Sequence, residues 1–502
     1  MPHFRSVTVD LEVAACQGFD WVSETVIPRE AVGPSPHSCP EGLPGVFSED
    51  ELVDHPCRMM VFVIRRSHAL TIVAVWPVLI LIAFGALLPA WADGEETSAE
   101  KHGVQLTKPA DPRPLSLSFD GDISLETGAN LTFASVSSLT RLEARAFHTL
   151  EGRSATGVSI RLFRTILLDQ PLAYWFVVLQ HEAFGHGGRA REFGSSASFH
   201  LGSPWQGKRS YATFSTDGLS DEDLLRVYAG GSESNAWSAT LLERELVAGR
   251  SMGPMEWLYL LRSRLVVSDY VLRTTPDPEK DPEGFYREWT GGGDVANYLG
   301  YLNTLHLGEP GITPSGSSPT VVAEYHRLRH QAYWNALDPG VWLSLWAVGR
   351  HVLNGDEPGR IPLPRLAGRR FLPVLSADWL PDGGVVSLEA IFGSKGGAGP
   401  KRGPSWFSFV LRRGRGPAGG FQAMGAAADR LWQTRKLQLG GEVEIWRQAD
   451  HTLGGGVRLR LMKRNGRLKN LFLDAGVKSD GHWPGRPAGV GPFLRLGLNI
   501  HM

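Results

Sequence analysis

The hydrophobic positions of this chain repeat with two periods, and the change between them divides it. Between about 168 and 355 apolar residues recur at helical spacing; at 113–167 and again at 356–502 they alternate by two, as strands do. Leu115, Leu117 and Phe119 alternate with Ser116, Ser118 and Asp120, and Thr127-Gly128-Ala129-Asn130 has the composition of a turn between two strands. Late in the chain, Val385–Phe392, Trp406–Leu411, Leu437–Trp446, Val457–Met462, Leu471–Val477 and Phe493–Ile500 read as strands of an antiparallel meander or barrel, with Asn465-Gly466 as a hairpin turn. Leu437, Leu439, Val443 and Ile445 fall on one face there, and Gln438, Glu442 and Glu444 on the other.

The helical middle has clear punctuation. Asp169-Gln170-Pro171 predicts a helix start, because Asp caps well and Pro suits the first turn. The stretch Tyr174–Leu179 that follows is apolar on every side, as in a helix buried in a core, and Gly187-Gly188 predicts its end. Residues 196–215 read as a hairpin or edge strand. Ser220 and Asp223 have the spacing of a capping box and open a helix to about Val247. Further helices are predicted at 254–273, 281–307 and 319–353, with Tyr325, Tyr333, Trp334, Trp342 and Trp346 of the last assigned to core packing. The fold class expected is α+β: a helical region at 168–355, N-terminal strands at 113–167, and a C-terminal antiparallel sheet or barrel at 356–502.

Composition narrows the function classes. The 502 residues are 42% hydrophobic and 21% charged, ordinary for globular domains. A formal net charge of -1 gives no bulk attraction to nucleic acid, so no nucleic-acid partner is expected. The three cysteines are Cys16, Cys39 and Cys57, which excludes a cysteine nucleophile or thiolate metal site from everything beyond residue 57.

Residues 59–92 have a basic start at Arg65-Arg66, an apolar run from Ala69 to about Pro89, and an Ala90-Trp91-Ala92 ending. That order describes a secretory signal peptide; an uncleaved transmembrane anchor is the other reading. Residues 1–58 then read as an upstream extension preceding the true start, and 93–112 as a linker. Either way the bulk of the protein is expected outside the cytoplasm, in the periplasm or cell envelope. The alternating C-terminal strands allow either an outer-membrane barrel, apolar outward and polar inward, or a soluble sheet packed on the helices.

The candidate chemistry lies at Gln180-His181-Glu182-Ala183-Phe184-Gly185-His186. His-Glu-x-x-x-His is one residue longer than the common zinc-protease pattern. On a regular helix, residues four apart sit about 40° apart around the axis, but residues five apart sit about 140° apart. His181 and His186 can therefore share one ion only if the turn is widened, by a π-bulge or by loosening at Gly185. A hydrolytic zinc site needs three protein ligands and one open position. Glu233 is the predicted third ligand, because Gly230 and Gly231 before it would let two helices approach closely. Glu182, next to the first ligand, is the predicted general base acting on a metal-activated water.

His181-Glu182-Ala183-Phe184-Gly185-His186 resembles the His-Glu-x-x-Gly-His motif of dipeptidyl peptidase III, in which the two His bind zinc and the Glu is catalytic. Glu233-Ser234-Asn235-Ala236 resembles the Glu-x-x-Ala-Asp segment of the CAAX-prenyl and heat-shock membrane zinc endopeptidases, whose Glu is the third ligand; Trp237 stands here in place of that Asp. The resemblance covers about 70 residues and implies a Glu-zincin-type zinc metallopeptidase acting on peptides or proteins. The alternative is an envelope β-barrel or sheet protein whose helical insertion binds metal without catalysis.

Overall fold

A computed structural model describes residues 116–501, except 121–122, 148–153, 206–209, 356–360, 394–404, 418, 435, 449, 465–468 and 488. The upstream extension (1–58), signal peptide (59–92), linker (93–112) and Asn465-Gly466 turn read from the sequence lie outside the described residues.

The fold is α+β, but the strands expected at 113–167 are mostly helix. Only β1, Ser116–Asp120, is a strand; α1 follows at Leu125–Phe147 and α2 at Ala155–Arg164. The apolar residues Leu125, Ala129, Phe133 and Val136 are all buried, and they also fit a helical stripe at spacings of three and four. Ser124 accepts a hydrogen bond from the Thr127 amide at 3.3 Å, so the supposed turn at 127–130 is the capped first turn of α1.

Helix α2 does not stop at Asp169. It runs on through a π turn at Thr165–Asp169, α3 at Gln170–Leu179, a second π turn at Gln180–His186 and α4 at Gly187–Glu192. Asp169 makes no cap; it is fully buried 3.5 Å from the Arg164 guanidinium. Pro171 has no N–H for the Leu167 carbonyl one turn earlier, and the Trp205 indole donates to that carbonyl instead, at 2.8 Å. Nor is this helix buried all round: Phe163, Leu167 and Tyr174 are exposed.

After the β2–β3 hairpin (Ala197–His200, Tyr211–Phe214) comes α5, Asp221–Ala248, opened by the predicted Ser220–Asp223 capping box. It is the central helix of the domain, buried along most of its length. Helix α6 (Pro254–Asp269) ends in a π turn at Tyr270–Thr274. The predicted 281–307 helix is two, α7 (Pro282–Thr290) and α8 (Asp294–Leu307), broken at Gly291-Gly292-Gly293, where Gly292 takes φ +80°. The predicted 319–353 helix is also two, α9 (Pro319–Ala336) and α10 (Pro339–Asn354). Tyr325 is buried and Trp346 packs on the core, but Tyr333, Trp334 and Trp342 are exposed, so the aromatic stripe is not all core.

Two short strands, β4 (Ile312–Thr313) and β5 (Gly316–Ser317), form a separate hairpin. The main sheet is an antiparallel meander of β7 (Arg369–Leu380), β8 (Gly383–Gly393), β9 (Trp406–Gly416), β10 (Gly419–Gln433), β11 (Leu437–Arg447), β12 (Leu453–Arg464), β13 (Lys469–Lys478) and β14 (Gly491–His501). β1 joins it beside β14, and the two-residue β6 (Arg365–Leu366) extends it beyond β7. Strands β7 and β10 carried no clear alternation; β10 is rich in Gly and Ala and holds a bulge between Ala428 and Trp432.

The two faces of β8–β14 are unlike. The buried face is charged: Arg458 and Arg460 bridge Asp474 and Glu126 of α1, and Arg486 bridges Glu126 and Glu442. Arg244 of α5 pairs with Glu389 at 2.8 Å. Ion pairs thus share this face with an apolar cluster of Val385, Phe421, Ala423, Trp446 and Trp483. The apolar core lies between the helices and β7, around Trp257, Tyr259, Leu372 and Val374.

Candidate metal centre

The widened turn expected from the six-residue spacing is present, as the π turn at Gln180–His186. It brings the His181 and His186 ring centres to 4.7 Å. A second helix makes room for it. A Cβ on Gly185 would lie 2.6 Å from Gly231 Cα and 2.7 Å from the Gly230 carbonyl oxygen, so α5 crosses the π turn almost backbone to backbone. Gly185 serves this close approach; its φ is not positive.

Glu233 is not at the histidine pair. On α5 the residues facing the π turn are Val227, Gly231, Ser234 and Asn235. Glu233 stands about 200° around the helix from Gly231, on the far side. There it accepts from Arg189 Nε at 3.0 Å, from Arg189 Nη2, and from the Gly485 amide at 2.6 Å, with His482 Nε2 at 3.4 Å. Burial alone would raise its pKa, but the Arg189 guanidinium, backed by His482, holds the carboxyl well below the usual range. Its role is to tie α5 to α4 and to the β13–β14 loop. Arg189 is itself deeply buried in this ion pair.

The third group at the pair is Asp294, the first residue of α8. Its Oδ2 lies 2.8 Å from His181 Nε2 and its Oδ1 lies 3.3 Å from His186 Nε2. The ligand atoms of all three residues lie within 4.8 Å of one another. Asp294 follows the three glycines that break the predicted helix, and a carboxylate suits a helix N-terminus. That stretch reads from sequence as a helix-entry loop, and nothing local marks its Asp as a partner of residues more than a hundred positions away.

The hydrogen bonds behind the rings decide what the site can hold. His186 Nδ1 lies 2.8 Å from the Val227 carbonyl oxygen. A carbonyl only accepts, so Nδ1 carries the proton and neutral His186 presents a lone pair at Nε2. His181 Nδ1 meets the Asn235 side-chain amide at 3.0 Å, while Asn235 Oδ1 is buried without a partner. Turning that amide so that Oδ1 accepts from Nδ1–H satisfies both, and leaves the His181 Nε2 lone pair facing Asp294 too. Two lone pairs and a carboxylate then converge on one point. Such outer hydrogen bonds are those that orient metal-binding imidazoles. Without a metal a proton takes the place: burial opposes it, but the Asp294 carboxylate raises His186 to about 9. Burial would raise Asp294 in turn, and the His186 charge instead holds it well below the usual range.

Glu182 is also buried, and burial raises its pKa above the ordinary carboxylate value against the pull of His181 and His186. The Ala212 amide of β3 donates to it. Tyr270 stacks on His181, ring centres 5.0 Å apart and 5° from parallel, and Tyr228 stands edge-on to His186 at 6.4 Å. Burial raises both phenols, so both stay neutral. Sequence reasoning singled out none of Asp294, Asn235, Tyr228 or Tyr270 as functional. Away from this cluster, His200 stacks on Tyr211 and His326 pairs with Glu279 at 3.3 Å.

Two histidines and one carboxylate, with a buried second carboxylate alongside, are a group that could hold a metal ion on an α+β scaffold. Compared with known protein families, curated proteins and solved structures, the chain has no match.

Proposed function

We propose that this protein is a zinc-dependent hydrolase, with His181, His186 and Asp294 as the metal ligands and Glu182 as the general base. The observation that carries this reading is the His186 Nδ1–Val227 contact, which leaves Nε2 facing a carboxylate that cannot donate to it. Three ligands with N,N,O donors suit zinc and leave it an open position.

When bound, the metal would supply Lewis acidity and lower the pKa of water at that position. The chain's own residues do the rest. Val227 and Asn235 fix the imidazole orientations. Glu182, its pKa raised by burial, accepts a proton from the attacking water and returns it to the leaving group. Neutral Tyr270 and Tyr228 pack against the two imidazoles. Peptide bonds are the substrate class we infer from the His-Glu-x-x-Gly-His resemblance, and the signal-like pattern at 59–92 supports an activity outside the cytoplasm.

A second reading, metal binding without catalysis, is favoured by one observation: Glu182 is only 7% exposed. Glu182→Gln separates the two. We expect it to keep stoichiometric zinc, measured by mass spectrometry of the metal, and to lower peptide hydrolysis on the order of a hundredfold or more. Unchanged hydrolysis would remove Glu182 as base; a purified protein holding no metal, or iron in place of zinc, would sink the zinc hydrolase.

A further inference from the structure

The outward face of β8–β14 inverts the usual order of a water-soluble sheet. Behind it lie the ion pairs of Arg458, Arg460, Asp474, Glu126 and Arg486. In front, alternate residues are large, apolar and exposed: Phe409 55%, Leu411 56%, Met424 55%, Ile445 53% and Leu496 66%. These are not scattered. Met424 pairs with Leu411 on one side and Ile445 on the other, Val443 with Val457, and Leu459 with Ala475, which pairs with Leu494. A continuous apolar surface of this size marks an interaction site.

Its margins identify the partner. Arg413 and Arg447 flank Gln422 in one cross-strand row, with Arg415 just beyond, all on the outward face and exposed. At the opposite margin Lys463 pairs with Leu437, and Trp432 pairs with Leu439. Outside the β10 bulge, no described outward position of β8–β14 is acidic; Asp450 and Asp480 lie in the loops beyond the Arg row. Along β11 the outward residues from Leu437 to Ile445 span about 26 Å of strand. A band of that height, bracketed by cations and closed by an indole, matches hydrocarbon between two layers of phosphate. A second copy of the chain would instead bring cations against cations. The sheet's side margins are not bare: β1 packs on α1, and β7 on α5 and α9.

We propose that the outward face of β8–β14 is seated in the hydrocarbon of a lipid bilayer, with anionic headgroups at Arg413, Arg415, Arg447 and Lys463. This stands independently of the metal centre. The helical region then lies behind the sheet, on the side turned away from the lipid.

The test uses the full chain with Cys16, Cys39 and Cys57 replaced by Ser, so that one introduced thiol can carry a polarity-sensitive fluorophore. Because the apolar run at 69–89 could hold vesicles by itself, the readout must be local to the sheet. With phosphatidylethanolamine–phosphatidylglycerol vesicles, a label at Leu459→Cys or Ile445→Cys should shift to the blue and be quenched by nitroxides on the acyl chains. A label at exposed Thr216→Cys, in the helical region, should do neither. Labels on the sheet that stay water-like and unquenched while the protein is vesicle-bound overturn the proposal. So does a blue shift that needs no lipid and rises with protein concentration, which assigns the face to a second copy. Arg413→Glu with Arg447→Glu, two exposed positions, with folding checked by circular dichroism, should weaken quenching in phosphatidylglycerol vesicles but not in phosphatidylcholine ones. Equal quenching in both overturns the headgroup assignment.

Discussion

A Cβ placed on Gly231 would lie 2.6 Å from His186 Nε2, inside any allowed contact. The same atom would crowd His181, so Gly231 is the floor on which both imidazoles rest. Gly231→Ala should therefore turn both rings away from Asp294. Overpacking of this kind costs about 1–3 kcal/mol, too little to unfold a domain of this size. The expected result is a folded protein that no longer retains metal, checked by metal analysis beside circular dichroism. Full metal occupancy in Gly231→Ala would mean the ion sits elsewhere.

Asp294 and Glu233 should separate cleanly under substitution. Asp294→Ala removes a proposed ligand and should abolish metal retention with little loss of melting temperature. Glu233→Ala should leave metal in place and destabilise the fold by about 1–3 kcal/mol, because Arg189 Nε and Nη2 lose their acceptor while Nη1 keeps Glu192. Metal analysis and thermal melts on both variants decide this, and the reverse pattern would restore Glu233 as a ligand.

The two-carboxylate site at Glu143 and Asp169 should make stability pH-dependent. Burial, then the Asp169 carboxylate, push Glu143 up to about 8, with Arg164 opposing. Its folded pKa is raised above the ordinary 4.5, so folding favours the protonated form. The stabilisation is complete below about pH 4.5 and is lost as pH rises through about 8. Melting temperature should fall between pH 5 and 9 in the parent and fall less in Glu143→Gln, which cannot ionise. Identical slopes in the two proteins would rule out this pair as the source.

Trp205 offers a check on the first π turn. Its indole N–H covers the Leu167 carbonyl that Pro171 leaves free, at an exposed position. Trp205→Phe keeps the ring and removes the donor. Because water can reach the carbonyl, the loss should be no more than about 1 kcal/mol, read from chemical denaturation.

By itself the sequence determined features whose cause is local. The His-Glu-x-x-x-His spacing required a widened turn, because helical geometry alone keeps residues five apart from sharing a point, and a π turn is there. The Ser220 capping box and the alternation of β8, β9 and β11–β14 were likewise carried by neighbouring residues. Where one local pattern fits two structures, sequence was not enough: 125–136 satisfies both a strand turn and a helical stripe, and packing against α5, α6 and the second π turn selects the helix. The ligand set was beyond local reach altogether. Glu233 and Asp294 are both acids beside glycines, and which of them meets the histidines depends on the rotation of α5 and the docking of α8. Only the tertiary structure decided that, because Arg189 and the Gly485 amide claim Glu233 on the far side of its helix, leaving Asp294 to face the lone pairs of His181 and His186.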